Sequence, residues 1–220
     1  MAVSQAARHV CQPKRSHELA LIRTGLCLKG TADKGIVFEP SMTKESQMNV
    51  FSDAAFACGW GTEPDTNPDS VKSRTGFVSE VANCPVLWIS KLQPTIATST
   101  MESEHTALSV SLRAAIPLLD LTREIAKGFS FGEERKLVFQ ASVHEDNQGA
   151  LKLANLEEGR NTPRKKFYAL RLHWFRSWFY CSEGDVNIEF IETFKQKADF
   201  LTKSLPPTLF QTNRKLSMGW

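Results

Sequence analysis

Apolar residues recur along the chain with two different periods, and the changes of period mark its elements. Residues 16–29 carry Leu19, Ile22 and Leu26 on one helical stripe, between Pro13 and Gly30, which predicts a helix. Gly35 to Phe38 reads as a short strand, and the polar residues up to 47 as a linker. From Met48 the pattern shortens to the strand period. Val50–Phe56 is apolar apart from Ser52 and Asp53, residues 59–73 form a loop rich in Gly, Pro, Asp and Asn, and Gly76–Val81 and Val86–Ser90 follow as strands about a turn at Asn83–Pro85. These three strands predict an antiparallel meander. Helical spacing then returns with Leu108, Leu112, Ala115 and Leu119, and Pro117 is expected to kink or shorten that helix. Lys136–His144 reads as a strand, Asn147–Leu156 and Leu172–Tyr180 as helices, Val186–Ile191 as a strand, and Lys197–Leu205 as a last helix stopped by Pro206 and Pro207. Consecutive strands followed by alternating strands and helices predict an α/β fold, a mixed sheet covered by helices.

Composition narrows the class. With 220 residues, 41% hydrophobic and 23% charged, the chain is long enough for one domain with a core, or a domain and a fragment, and is not a disordered polymer. A formal charge of +3 is too small to select a partner, so placement of charge carries more than its sum. The five cysteines include no Cys-x-x-Cys pair, which argues against a zinc ribbon and fits unpaired thiols in a reducing compartment. No run of 18 apolar residues suggests a membrane span, and Met1–Arg15 has no apolar signal region. The expectation is a soluble intracellular protein, cytoplasmic or nuclear. The five histidines show no metal-binding spacing.

Four carboxylates stand where charge is costly. Asp53 lies inside a strand, on the face of Phe51 and opposite Val50 and Ser52. Glu104 opens the apolar stripe of the long helix, whereas Glu102 falls about 200° away around the axis. Asp146 joins a strand end to a helix start, and Asp199 precedes Phe200 and Leu201 in the last helix. Asp146 also suits a helix N-cap, and a helix phase one residue off would turn Glu104 and Asp199 to solvent. If the four converge, their mutual repulsion calls for a divalent cation, and an all-oxygen site suits Mg²⁺. Between Arg160 and Tyr180 six Lys/Arg alternate with aromatics and no acid occurs, a pattern open both to a phosphate-tracking surface and to a solvated helix face.

The residues around these acids carry a resemblance. Ser52-Asp53-Ala54, Ser73–Val78, Trp88–Lys91 with Gln93-Pro94-Thr95, Ser99–Glu104, Glu145–Ala150 and Ala198–Leu205 resemble, in order and spacing, the ribonuclease H domain of copia-type LTR retrotransposon Pol polyproteins. Ala2–Gln5, Ala7-Arg8, Pro13, Ser16-His17 and Leu28–Thr31 resemble the end of the reverse transcriptase that precedes it. The resemblance implies residues 1–47 as a reverse transcriptase remnant and linker, 48–205 as the ribonuclease H-like domain, and 206–220 as a C-terminal tail. It implies a polyprotein fragment or truncated copy, found in a virus-like particle if part of an intact element. The implied fold is a three-layer ribonuclease H-like α/β fold, a five-stranded mixed sheet flanked by helices with a short N-terminal helical extension. The implied chemistry is endonucleolytic hydrolysis of the RNA strand of an RNA–DNA hybrid by two Mg²⁺ ions, with Mn²⁺ as a substitute, held by Asp53, Glu104, Asp146 and Asp199. Asp53 would bridge both ions, Glu104 and Asp146 would complete one site, and Asp199 the other. Ser103, Asn147, Gln148, Arg164, Lys165, Lys166 and Arg171 are the expected substrate contacts, although Ser103, Asn147 and Gln148 equally suit helix-start residues bonding their own backbone. The reverse transcriptase portion is an expected partner, and no membrane is. The chain departs from the family at Lys166-Phe167-Tyr168-Ala169, where a Lys-His-Ile-Asp run is usual. An inert nucleic-acid-binding remnant is the alternative.

Overall fold

A computed structural model describes residues 1–41, 47–63, 66–128, 140–155, 174 and 186–220. Two helices come first, α1 (Ala2–Ala7) and α2 (Arg15–Gly30). Strands β1 (Gln47–Ala55), β2 (Arg74–Val81) and β3 (Cys84–Leu92) form the meander, followed by the 29-residue helix α3 (Thr100–Gly128). Strand β4 (Gln140–Glu145), helix α4 (Gln148–Ala154), strand β5 (Val186–Phe190) and helices α5 (Asp199–Thr202) and α6 (Pro207–Met218) complete the described chain.

The five strands make one sheet in the order β3-β2-β1-β4-β5. The meander is antiparallel, while β4 and β5 join β1 in parallel. With helices α3 and α4 on one face, this is a mixed five-stranded α/β sheet, the arrangement that the resemblance implies. The core lies between the sheet and α3. Met48 and Val50 of β1, Ala141 and Val143 of β4 and Val186 of β5 meet Leu108, Leu112, Ala115 and Leu119 of α3 there. Alternation therefore sends Phe51 and Asp53 to the opposite face, where Phe51 stacks on His144 at 4.8 Å.

The meander, α3, β4 and β5 are where the periodicity put them, within a few residues. Other expectations give way. Gly35–Phe38 is not a strand. It docks on the C-terminal helix instead, with the Val37 N–H donating to the Met218 carbonyl and the Trp220 indole N–H to the Gly35 carbonyl. The β2–β3 turn is Ala82–Asn83, both at positive φ as a two-residue primed turn requires, and Pro85 lies within β3. β3 is an edge strand, which accepts a proline. α3 is not shortened at Pro117. Losing one hydrogen bond costs about 3 kcal/mol, less than burying Leu112, Ile116 and Leu119 contributes at about 1.5–3 kcal/mol each. The last predicted helix shrinks to α5, and a further helix, α6, follows it. Pro206 and Pro207 do not stop the chain's helical structure, because Pro207 takes the first turn of α6, where no N–H is needed. The stripe of Leu19, Ile22 and Leu26 on α2 is exposed rather than packed.

The predicted helix Leu172–Tyr180, the start of the strand predicted at Lys136 and the basic stretch lie outside the described residues, apart from Trp174, which packs against the core. The four described cysteines are free. Among the described residues no helix is long and apolar enough to cross a membrane.

Candidate metal centre

Parallel pairing sets the site. β1 and β4 run the same way with Phe51 opposite His144, so Asp53 and Asp146 emerge together at their carboxyl ends. α3 begins beside that edge, because Gln93 donates to the Ser103 carbonyl at 2.9 Å and to Thr75 Oγ1 at 3.1 Å, tying the end of the meander to the helix start. That puts Glu104 at the edge from the core side. From the other side, Gln196 is fully buried and donates to the Ser52 carbonyl at 2.8 Å. Lys197 is locked to buried Glu80 by two contacts of 2.7 and 2.8 Å. These two anchors deliver Asp199 at the start of α5.

All four predicted acids meet. Oxygens of Asp53, Asp146 and Asp199 lie within 4.8 Å of one another, and so do oxygens of Glu104, Glu145 and Asp146. Asp146 belongs to both groups. Glu102, by contrast, turns away and accepts from the Thr98 N–H and hydroxyl, as the helix phase predicts. The helix N-cap reading of Asp146 goes to its neighbour: Asn147 Oδ1 accepts from the Ala150 N–H at 3.0 Å. Glu145 was missed by the sequence reading. Its signal was available, since it stands two residues beyond the core residue Val143, on the same face of β4.

The field in the pocket is strongly negative. Burial, then the charges of Glu145, Asp53 and Asp146, push Glu104 up to about 10. Burial pushes Glu145 up to about 8 against the Asn147 N–H, which favours its ionised form. Asp199 rises to about 6 through burial and Asp53. Asp146 is raised for the same two reasons. Among the described residues the one ammonium there is Lys203, 3.0 Å from Asp53 and 2.8 Å from Asp199. Burial pulls it down, but the two aspartates outweigh that and hold it above the usual lysine value. The Thr202 hydroxyl donates to the other oxygen of Asp53. Among the described residues five carboxylates face one cation, and Glu104 Oε2 and Glu145 Oε2 are buried with no partner. An all-oxygen donor set with uncompensated buried charge fits a hard divalent ion such as Mg²⁺.

The expected substrate contacts divide. Gln148 is exposed at the start of α4. Asn147 caps α4. Ser103 is fully buried and donates to the Thr100 carbonyl at 2.7 Å, so its hydroxyl is committed to its own helix. Arg164, Lys165, Lys166 and Arg171 lie outside the described residues. A groove of about 1340 Å³ reaches Lys203 and Leu201, with Arg8, His9, Lys14 and His17 along its wall.

Gly76 makes the geometry possible. It pairs with Asp53 across β1 and β2, and a Cβ there would lie 2.5 Å from Thr202 Cγ2 and 2.9 Å from Leu201 Cβ. α5 can therefore sit directly on the strand only because residue 76 has no side chain. Gly76→Ala is expected to destabilise the chain by about 1–3 kcal/mol and to weaken Mn²⁺ binding by displacing Asp199. Denaturant unfolding and metal titration of the variant check both.

No family model matches the chain. It is similar to retrovirus-related Pol polyproteins of plant transposons. It is 27% identical over 218 residues, 99% of its length, to the Retrovirus-related Pol polyprotein from transposon RE2 of Arabidopsis thaliana. It is 26% identical over 215 residues to the one from transposon TNT 1-94 of Nicotiana tabacum. The chain spans only 14% of the length of either polyprotein. Among solved structures it resembles the N-terminal RNase H domain of rv2228c from Mycobacterium tuberculosis, with a TM-score of 0.46 and 13% identity over 76% of this chain and 99% of that one.

Proposed function

We propose that the chain is a transposon-derived ribonuclease H that hydrolyses the RNA strand of RNA–DNA hybrids with two divalent cations, Mg²⁺ or Mn²⁺. The observation that carries this reading is the convergence of Asp53, Glu104, Asp146 and Asp199, from four separate segments, on one sheet edge. Relatedness to Pol polyproteins supports it, because copying an RNA genome leaves a hybrid whose RNA strand has to be removed. The ions, when bound, lower the pKa of a coordinated water and neutralise charge at the scissile phosphate.

The chain's own residues do the positioning. Asp53, Asp146 and Asp199 form one oxygen cluster, and Glu104 extends it from the core side through Asp146. Asp146 is the one of these acids common to both clusters, whereas the resemblance gives the shared place to Asp53. Thr202 fixes the carboxylate of Asp53 by its hydrogen bond. On the groove wall, where Arg8 is held by Glu63, Lys14 with His9 and His17 offers positive and polar groups to a phosphate backbone. Exposed Gln148 is the candidate donor to a 2′-hydroxyl beside the acids. The reverse transcriptase portion of such polyproteins is the proposed partner in the intact context. The competing reading, an inert binder, rests on Lys166–Ala169, outside the described residues. Incubation of the chain with an end-labelled hybrid and Mg²⁺ tests the proposal. Cutting confined to the RNA strand is expected, and salt-sensitive binding without cutting would favour the inert binder.

Lys203 shares the oxygens that a cation needs. Lys203→Met is expected to tighten Mn²⁺ binding by roughly tenfold, because one competing charge within about 4 Å is worth at least 1–4 kcal/mol at the edge of a protein. Calorimetric titration measures this, and unchanged affinity would mean that the ammonium and the metal do not compete.

A further inference from the structure

We infer that Glu145 is a fifth metal ligand, closing a second divalent-cation site with Glu104 and Asp146 beyond the four acids that the resemblance supplies. The inference rests on the proposed function only in taking this pocket as a cation site.

Three observations carry it. One oxygen from each of Glu104, Glu145 and Asp146 falls within a 4.8 Å cluster, a span that one ion can gather. Glu145 is fully buried and Glu104 is 7% exposed, so neither charge is relieved by water. Each also keeps one carboxylate oxygen, Oε2, without any partner.

A purely structural glutamate at the end of a strand would look different. Glu145 does accept the Asn147 N–H through Oε1 at 3.1 Å, which steadies the entry to α4. That bond uses one oxygen. A capping carboxylate ordinarily leaves the other in water, whereas here it is sealed among carboxylates, where an anionic oxygen without a counter-ion is the costliest arrangement available. Alternation along β4 explains how it comes to be there. Val143 and Glu145 share the core face, so the strand that supplies a core residue supplies, two positions later, an acid meeting Glu104 from α3. Asp146, next in sequence, is shared with the Asp53 and Asp199 cluster. The pocket is thus two neighbouring oxygen clusters joined at one carboxylate. Glu145 gives the Glu104 cluster three acidic ligands, as many as the other cluster has. An all-carboxylate set of this kind selects a hard cation, Mg²⁺, Mn²⁺ or Ca²⁺, over zinc or copper.

The test is Mn²⁺ binding to the full chain, by calorimetry and by the electron paramagnetic resonance signal of free Mn²⁺. The variants are Glu145→Gln, which keeps the size and the Asn147 acceptor, and Asp199→Asn. The unchanged chain is expected to take up two Mn²⁺. Glu145→Gln is expected to lose at least tenfold in affinity at one site while the other is unaffected, and Asp199→Asn to weaken the other. Binding of two Mn²⁺ by Glu145→Gln with both affinities unchanged would overturn the inference, as would a single site in the unchanged chain. No hybrid is present in these measurements. A chain that binds both ions but cuts no hybrid overturns the proposed function and leaves this inference standing; hybrid cutting with two unaltered sites in Glu145→Gln does the reverse.

Discussion

Asp53→Asn should lower the rate of hybrid cleavage by about a thousandfold or more, about 4 kcal/mol of lost transition-state stabilisation, while the chain stays folded. The size follows from where the residue sits. Asp53 is fully buried in the strand at the centre of the sheet, and its oxygens cluster with those of Asp146 and Asp199. Among the described residues no other carboxylate is held by both α5 and the following residue, through the Thr202 hydroxyl and the Lys203 ammonium. Asparagine keeps the volume and an oxygen that accepts from Thr202, so the packing of α5 on β1 survives. What disappears is the negative charge that gathers cations. Cleavage of an end-labelled hybrid in saturating Mg²⁺, with a thermal melt of the same preparation, separates the two effects. A variant that folds and cuts at the original rate would remove Asp53 from the mechanism and, with it, the nuclease reading.

The parts of this site legible in the sequence are those set by local periodicity. A strand alternates every two residues, so the side of β1 that carries Asp53 follows from Val50 and Phe51. A helix turns every 3.6 residues, so Glu104 rather than Glu102 faces the sheet. Both readings need only a few neighbours, and both hold in the fold. Glu145 was hidden because the predicted strand ended at His144, one residue short of the observed end, which left it outside the alternation running from Val143. Lys203 was hidden for a different reason. Its contact with Asp53 spans 150 positions and depends on α5 lying across β1 and β2, which in turn depends on Gly76 having no side chain. Nothing local encodes that. Pro206 and Pro207 misled because a proline pair ends one helix and starts the next by the same missing N–H, and only the downstream pattern from Thr208 tells the two apart. The strand expected at Gly35–Phe38 failed because its partner is a helix end, Met218 to Trp220, with Trp220 lying 185 positions from Gly35.

The same crowding of carboxylates should make the metal-free chain less stable as pH rises from about 5 to 8, opposite to the usual acid lability. Glu104 and Glu145 carry pKa values raised from 4.5 to about 10 and about 8, and Asp199 one raised from 3.8 to about 6. Below about pH 3 each is neutral both folded and unfolded, and no stability is lost. Above that, the unfolded chain releases these protons while the folded chain retains them. The folded state then binds more protons than the unfolded one, so the free energy of unfolding falls with pH. The fall is about 1.4 kcal/mol per pH unit for each group within its window. It is complete for Asp199 near pH 6 and for Glu145 near pH 8, and continues for Glu104 toward pH 10. Glu104 and Glu145 together give about 5 kcal/mol over the two units from pH 6 to 8, and at about 2–4 °C per kcal/mol for a chain of this length the Tm in EDTA should drop by roughly 10–20 °C across that range. Millimolar Mg²⁺ or Mn²⁺ should restore most of the loss at pH 8 and little at pH 5, where protons already occupy the site. Thermal melts across that range, with and without metal, measure both effects. A Tm that stays level or climbs with pH in EDTA would mean that these acids do not share a buried pocket, and a metal effect equal at pH 5 and 8 would mean that cations and protons do not compete for it.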